Sequence, residues 1–368
     1  MLKTEIDEVK KQLTPAKSSI DRIVGCYVNG EEKRIADFSS NYLALDELDV
    51  KLYSDLLKKG LSGNVGKTLF PVEFDKNEMK LGGKQDSLIK IVKDGFRTDA
   101  MREAFFDNII ASYTERLANY MILAVHNCYD VPVKGTDNDR SESDEVYEYI
   151  QVIICPVEAQ KTQIIYNPKK GGFEPEPITY VVKPPTAGFL YPAFDERCTN
   201  IQSALYYSKS SKALDEGFIN AMFGTSSPLS AEIQKKAFIG AVEESLGEVC
   251  NLETIKDIHN KLNELSDTAE EGTDDALIDK EKFKNILKYT GADEEMAEQC
   301  YENNVQQEKG LNISNLYNKS LNIETEDVVV KVKNGRNTDI LKEDKINGAK
   351  CLVIRLEGLI EVNGIAVK

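Results

Sequence analysis

Tryptophan is absent, and the 368 residues include only two histidines, His126 and His259. That leaves little material for a polyhistidine metal centre or for histidine acid–base chemistry. The seven cysteines are odd in number, and none stands in a Cys-x-x-Cys pair. Neither a disulfide framework nor a cysteine-rich zinc site is expected from them. No run of eighteen apolar residues occurs, so no membrane-spanning helix is expected. Met1 to Glu8 carries charge where an export signal needs an apolar core, which points to the cytoplasm.

What is present suits a folded chain of two or three domains: 41% of residues are hydrophobic and 29% charged. The formal charge is −16, but it is unevenly spread. Glu264 to Glu308 holds fourteen acids against four lysines, and Lys134 to Glu148 six acids against two bases. The rest of the chain is close to neutral, so a modest basic face elsewhere is compatible with the composition. No dense lysine/arginine stripe tracks a phosphate backbone. The acidic stretches read first as solvated loops and helix faces, and second as a docking surface for a basic partner.

Periodicity divides the chain. A polar helix spans Leu2 to Leu13, and an extended segment, Ile20 to Val28, ends at the turn Asn29-Gly30. Asp46 to Lys59 reads as a helix stopped by Gly60. Thr98 to Leu117 reads as another, with Phe105, Ile109, Tyr113 and Leu117 on one face. Tyr120–Val131 and Glu145–Val157 are β-rich runs around the polar loop Lys134–Asp144, which predicts a hairpin. Thr162–Tyr166, Ile178–Val182 and Ile201–Tyr207 follow as short strands between Gly/Pro breaks. Helices return from Lys212: one ends at Gly224, and a long one opens at Ser227-Pro228 and reaches Leu246. A third is capped by Asn251, with the stripe Leu252, Ile255, Ile258, Leu262 and Leu265. Beyond the acidic linker Ser266–Ala276, helices are expected near Lys280–Tyr289 and Asp293–Asn304, then a polar linker, Asn303–Asn322. Strands close the chain at Val328–Val332, Lys350–Leu356 and Ile360–Val367, with turns at Asn347-Gly348 and Asn363-Gly364. No internal repeat is visible.

Four constellations invite a chemical reading. Gly60-Leu-Ser-Gly63-Asn-Val-Gly66-Lys67-Thr68 resembles a phosphate loop, but its glycine spacing is wrong and it follows a helix instead of a strand. A glycine-rich turn after a helix cap is the better reading. His126, Cys128 and Asp130 alternate along one strand and share a face, yet neighbours on that face lie roughly 7 Å apart. A packed histidine beside a structural cysteine outweighs a cysteine nucleophile and its base. His259 borders a helical stripe and reads as packing or surface. The acid pairs Asp144-Glu145 and Glu243-Glu244 read as solvated, and the aromatic turn Gly188–Phe194 with Tyr206-Tyr207 reads as core edge more than as a base-stacking platform. No residue is assigned a catalytic, cofactor-binding or metal-binding role.

Arg22-Ile-Val-Gly-Cys-Tyr-Val28, Leu61-Ser-Gly63 with Gly66-Lys67, Tyr129-Asp-Val-Pro132, Asp144–Tyr149, Ile154-Cys-Pro-Val157 and Gly188–Phe194 together resemble a bacterial domain-of-unknown-function family, number 4317, over essentially the whole chain. That resemblance implies no activity, cofactor or site. From about Ile201 onward the order of features is similar to that of NdpA-type nucleoid-associated proteins: a strand, a helix ending in Phe218–Gly224, two longer helices, an acidic break, the short helix Asp279–Leu287 and a final β-unit. It implies a link to DNA.

The fold expected is α+β, an antiparallel sheet with packed helices, followed by a helical region and a small C-terminal β-unit. The boundaries expected are 1–208, 209–305 with its acidic linker, and 323–368. The leading function is a non-enzymatic cytosolic protein associated with duplex DNA or with a nucleoid complex. Its rival is a protein–protein adaptor or oligomeric scaffold for a basic partner, without nucleic acid. A third reading is an enzyme assembled from scattered residues such as Lys67, His126 and Cys128. A homodimer is compatible with the first two, and no cofactor or membrane contact is expected.

Overall fold

The computed structural model describes the chain except residues 115–117, 133–144, 162, 211, 270–271, 306–309, 333–337, 357, 359, 363–364 and 368. The architecture is α+β, and two compact units divide it, Met1–Ser230 and Ala231–Lys368.

The first unit is built on an antiparallel sheet. Its strands are β1 (Arg22–Val28), β2 (Arg34–Asn41), β3 (Leu69–Glu73), β4 (Tyr120–Val131), β5 (Glu145–Ala159), β6 (Ile164–Asn167), β7 (Gly172–Pro175), β8 (Tyr180–Val182), β9 (Ala187–Tyr191), β10 (Ala193–Asp195), β11 (Cys198–Asn200) and β12 (Ser203–Ser208). The main sheet runs β2-β1-β4-β5-β9-β12-β3, with β8 paired to the far end of β5. The expected hairpin is its centre: Tyr120 faces Pro156 and Val131 faces Glu145.

The helices of this unit are α1 (Lys3–Gln12), α2 (Glu47–Lys59), α3 (Lys84–Asp94), α4 (Asp99–Ser112) and α5 (Glu216–Phe223). Strand alternation sorts the core into two layers. Val24, Ile122, Ala124, Ile150 and Val152 meet residues of α3, α4 and α5, while Ile23, Leu123, Val125, Tyr149 and Ile153 meet residues of α1 and α2. Asp46 caps α2 by accepting from the Asp49 amide, and Gly60 follows its last residue. The apolar face of α4 carries Phe105 and Ile109 as its spacing predicts, but the helix stops at Ser112; Leu117 lies outside the described residues. The polar loop Lys134–Asp144 lies outside them too. α3, β2 and β3 have no counterpart among the expected elements: β2 is largely exposed, and β3 is five residues long with a proline inside. α5 belongs to this first unit, because Phe218, Ile219, Met222 and Phe223 are buried in the sheet's core.

The second unit holds α6 (Ala231–Leu246), α7 (Leu252–Thr268), α8 (Lys280–Leu287), α9 (Glu294–Asn304) and α10 (Ile313–Leu316). Its strands are β13 (Leu277–Ile278), β14 (Leu311–Asn312), β15 (Leu321–Glu324), β16 (Val329–Val332), β17 (Leu341–Ile346), β18 (Ala349–Ile354), β19 (Ile360–Val362) and β20 (Ile365–Val367). α6 starts at Ala231, three residues after Pro228, where Ser230 is tied by its hydroxyl to the Lys212 carbonyl. Asn251 caps α7 in a reciprocal box with Thr254. The segment Asn303–Asn322 is not the linker expected: Leu311, Ile313 and Leu316 are buried, and β14 pairs with β13. Three buried apolar residues among many polar ones gave no periodic signal. The last strands form three hairpins, and Asn347-Gly348 has positive φ at both positions (51° and 82°), as a two-residue hairpin turn requires.

Candidate functional site

At one end of the sheet three elements converge on the α3 face. His126 and Cys128 alternate along β4, and Glu148 lies directly opposite Cys128 on β5. Asp21 precedes β1, whose Arg22 is in register with His126. The imidazole is 3% exposed and carries a carboxylate at each nitrogen: Nδ1 is 3.3 Å from Asp21 Oδ1, and Nε2 is 2.9 Å from Glu148 Oε1. The Cys128 sulfur, a ring nitrogen and a Glu148 oxygen lie within 4.8 Å of one another. Arg97 holds the other oxygen of Asp21 at 2.8 Å. Gly95, the left-handed cap of α3 (φ 59°), lets the backbone close over the ring, since a Cβ there would sit 3.3 Å from Nδ1. Burial, with the Glu148 and Asp21 carboxylates nearby, pushes the Cys128 thiol above its ordinary range. Of the groups the spacing analysis placed together, His126 and Cys128 do meet. Asp130 is exposed, and the carboxylates in the cluster come from Glu148 and Asp21. Cross-strand register brings them in, and linear spacing along β4 carries no trace of it.

The other motifs resolve plainly. The Gly60–Thr68 segment is a turn between α2 and β3 whose amides are spent internally: Gly66 donates to the Leu69 carbonyl, and Lys67, Thr68 and Leu69 donate to that of Asn64. No cradle of amides faces outward for a phosphate, and Lys67 is exposed. Glu145 is occupied by the Thr199 amide at 2.7 Å; burial raises its carboxyl, but the bonds from Thr199 and Cys198 prevail and hold it below its ordinary range. Glu243 and Glu244 are exposed on α6. His259 is buried with its ring edge-on to Tyr317. Phe189, Tyr191, Phe194, Tyr206 and Tyr207 are all buried, so these aromatics build the core and are closed to base stacking.

The exposed aromatics lie elsewhere. β5 continues past the main sheet, where Val157–Ala159 pair with Val182–Tyr180. The ladder goes on through Gln160 N to Thr179 O and Glu176 N to Gln163 O, and ends as the β6–β7 hairpin, Ile164 opposite Pro175 and Tyr166 opposite Phe173. A two-stranded ribbon therefore continues off the main sheet, its described pieces being Val157–Ala159 with Tyr180–Val182 and Ile164–Asn167 with Gly172–Pro175. Every described residue from Glu158 to Val182 is exposed or half-buried. Alternation gives the hairpin one apolar face, Ile164, Tyr166 and Phe173, with the two rings in edge contact at 5.5 Å and Ile164 and Phe173 each 77% exposed. The opposite face is mixed: it holds Ile165, and Asn167 there donates to Glu174. From Val157 to Lys183 there are four lysines against three glutamates, a slight positive excess in a chain of net charge −16. The tip is Asn167-Pro-Lys-Lys170. β6 and β8 match the strands expected at Thr162–Tyr166 and Ile178–Val182, but the lysines at 161, 169, 170 and 183 form no run that marks a local positive charge.

Fold and sites define a two-unit α+β protein with a His–Cys–Glu cluster at one end of its sheet and a basic, aromatic ribbon off its fifth strand. The chain belongs to the domain-of-unknown-function family DUF4317, whose model matches residues 1–365. No curated protein matches the chain. No described helix is long and apolar enough to cross a membrane.

Proposed function

We propose that this is a non-enzymatic, DNA-associating protein that touches duplex DNA with the β6–β7 ribbon. The observation that carries the reading is the ribbon itself: net positive in an acidic chain, with a proline and two lysines at its tip and exposed Tyr166 and Phe173 behind them. Two-stranded ribbons fit nucleic-acid grooves, lysines neutralise phosphates, and apolar side chains wedge between base steps. Elsewhere Arg34, Arg97, Arg102 and Arg197 each pair with a carboxylate, and on the ribbon Lys170 pairs with Glu174 at 2.5 Å and Lys183 with Glu158 at 3.5 Å, surface pairs that a phosphate can displace. The similarity in feature order to NdpA-type proteins from Ile201 onward supports the same reading.

Four lysines set the scale. Counterion release gives a slope of log affinity on log salt of about −0.9 per phosphate contact, so no steeper than about −3.6 here, with affinity in the weak, non-specific range. The test is binding of labelled duplex DNA across a salt series. Lys169→Glu with Lys170→Glu should flatten the slope by about 2, and Phe173→Ala should weaken binding with the slope kept. A folded protein that fails to bind at low salt overturns the proposal. The apolar face of the hairpin favours a second reading, a protein–protein adaptor or scaffold. Oligomeric state measured in the same samples decides for it if Phe173→Ala dissociates an assembly that never bound DNA.

A further inference from the structure

The hydrogen-bond inventory of His126 does not close on itself. Asp21 and Glu148 are both acceptors, and they address both nitrogens of one ring. A neutral imidazole donates from one nitrogen only. With the proton on Nδ1 toward Asp21, the Nε2 lone pair and a Glu148 oxygen face each other at 2.9 Å, and that contact calls for a positive charge between them. The Cys128 sulfur stands beside the same point. We propose that His126 Nε2, Cys128 Sγ and a Glu148 carboxylate oxygen bind a divalent cation of the zinc type, with Asp21 as the carboxylate that positions the ring.

The donor set and the geometry agree. Nitrogen, thiolate and carboxylate together suit a borderline cation such as Zn²⁺ and not Mg²⁺ or Ca²⁺, which take oxygen alone. With metal–ligand bonds of about 2.0–2.3 Å, ligand atoms in a tetrahedral site stand roughly 3.4–3.6 Å apart. The three atoms here lie within 4.8 Å, so side-chain rotation of about 1 Å closes the site. Cys128 and Glu148 form a directly opposed strand pair of the β4–β5 hairpin, and His126 is two residues along on the same face, so one continuous ladder holds all three ligands. Asp21 on Nδ1 fixes the tautomer that presents Nε2 to the metal, and Arg97 steadies Asp21. Three protein ligands leave the fourth position for water or a small anion. Glu148 is 43% exposed and Asp21 40%, so that position opens to solvent.

The experiment uses the full chain, purified with reductant and stripped by a chelator, and titrated with Zn²⁺ by calorimetry and Co²⁺ by absorbance. One equivalent should bind saturably, and the Co²⁺ form should show a sulfur-to-metal charge-transfer band that Cys128→Ser abolishes. Asp21→Asn should keep the band and weaken affinity about 10–100-fold, as loss of an outer carboxylate does. His259→Ala, Cys198→Ser and Cys250→Ser should change nothing. Cys128 is only half-buried, so its serine variant keeps the test readable if a His126 variant fails to fold. A band that survives Cys128→Ser, stoichiometry that follows Cys198 or Cys250, or no saturable binding below about millimolar metal overturns the site.

Discussion

Cys26 and Cys155 face opposite layers of the first unit's core, both fully buried. Burial, aided at Cys26 by Asp37, pushes each thiol up to about 12, and the thiolate is the reactive species. A folded pKa raised above the ordinary thiol value near 9 contributes stability that is complete below pH 9 and is lost as pH rises through about 12. Cys198 and Cys250 are exposed. Brief alkylation at neutral pH, read by mass spectrometry, should label those two first and leave Cys26 and Cys155 unmodified until the protein unfolds. Early labelling of Cys26 would show that the α3–α4 layer opens in the native state. The same scale holds the limit of what could be read from the chain alone. His126 and Cys128 were legible as one-face neighbours, but Asp21 and Glu148 reach them from 105 and 22 residues away in sequence, and only strand register supplies them.

Strongly periodic elements declared themselves. The β4–β5 hairpin and the capped helices α2, α7 and α9 follow from residues that act within a few positions of one another. What escaped was mostly short or exposed: β2, β3 and Leu311–Leu316 have too few apolar residues to mark a period, whereas α3 carries Leu88, Ile91 and Val92 at helical spacing and its signal went unread. The projecting ribbon raises a different issue at this scale, since its outer edges offer unpaired backbone groups beside exposed apolar side chains. Pro175 and Pro177 interrupt one edge, and lysines stud the tip. Prolines remove ladder donors and block the addition of further strands. Replacing Pro175 and Pro177 by valine should therefore promote concentration-dependent association through that edge, visible by light scattering. Unchanged scattering would mean that the lysines alone protect it.

At the scale of the molecule, two units with separate cores predict two cooperative transitions. Cys155 reports the first unit and Cys300, on the buried face of α9, the second. Pulsed alkylation along a urea series should expose Cys300 at a lower denaturant concentration than Cys155, because the second unit is the smaller. Coincident exposure would show one cooperative body. The fifth strand has a further consequence within the first unit. Its one end carries Glu148 and its other end starts the ribbon at Val157, roughly 30 Å away by strand rise. Between them it is hydrogen-bonded to β4 throughout, up to Pro156, and to β9 over Ile150–Ile154. A pull on the ribbon tip is therefore borne in shear, by many parallel bonds loaded together, and not peeled one bond at a time. Mechanically the strand is a beam and not a hinge, so whatever grips the ribbon tugs on a stiff member that runs straight to the histidine cluster.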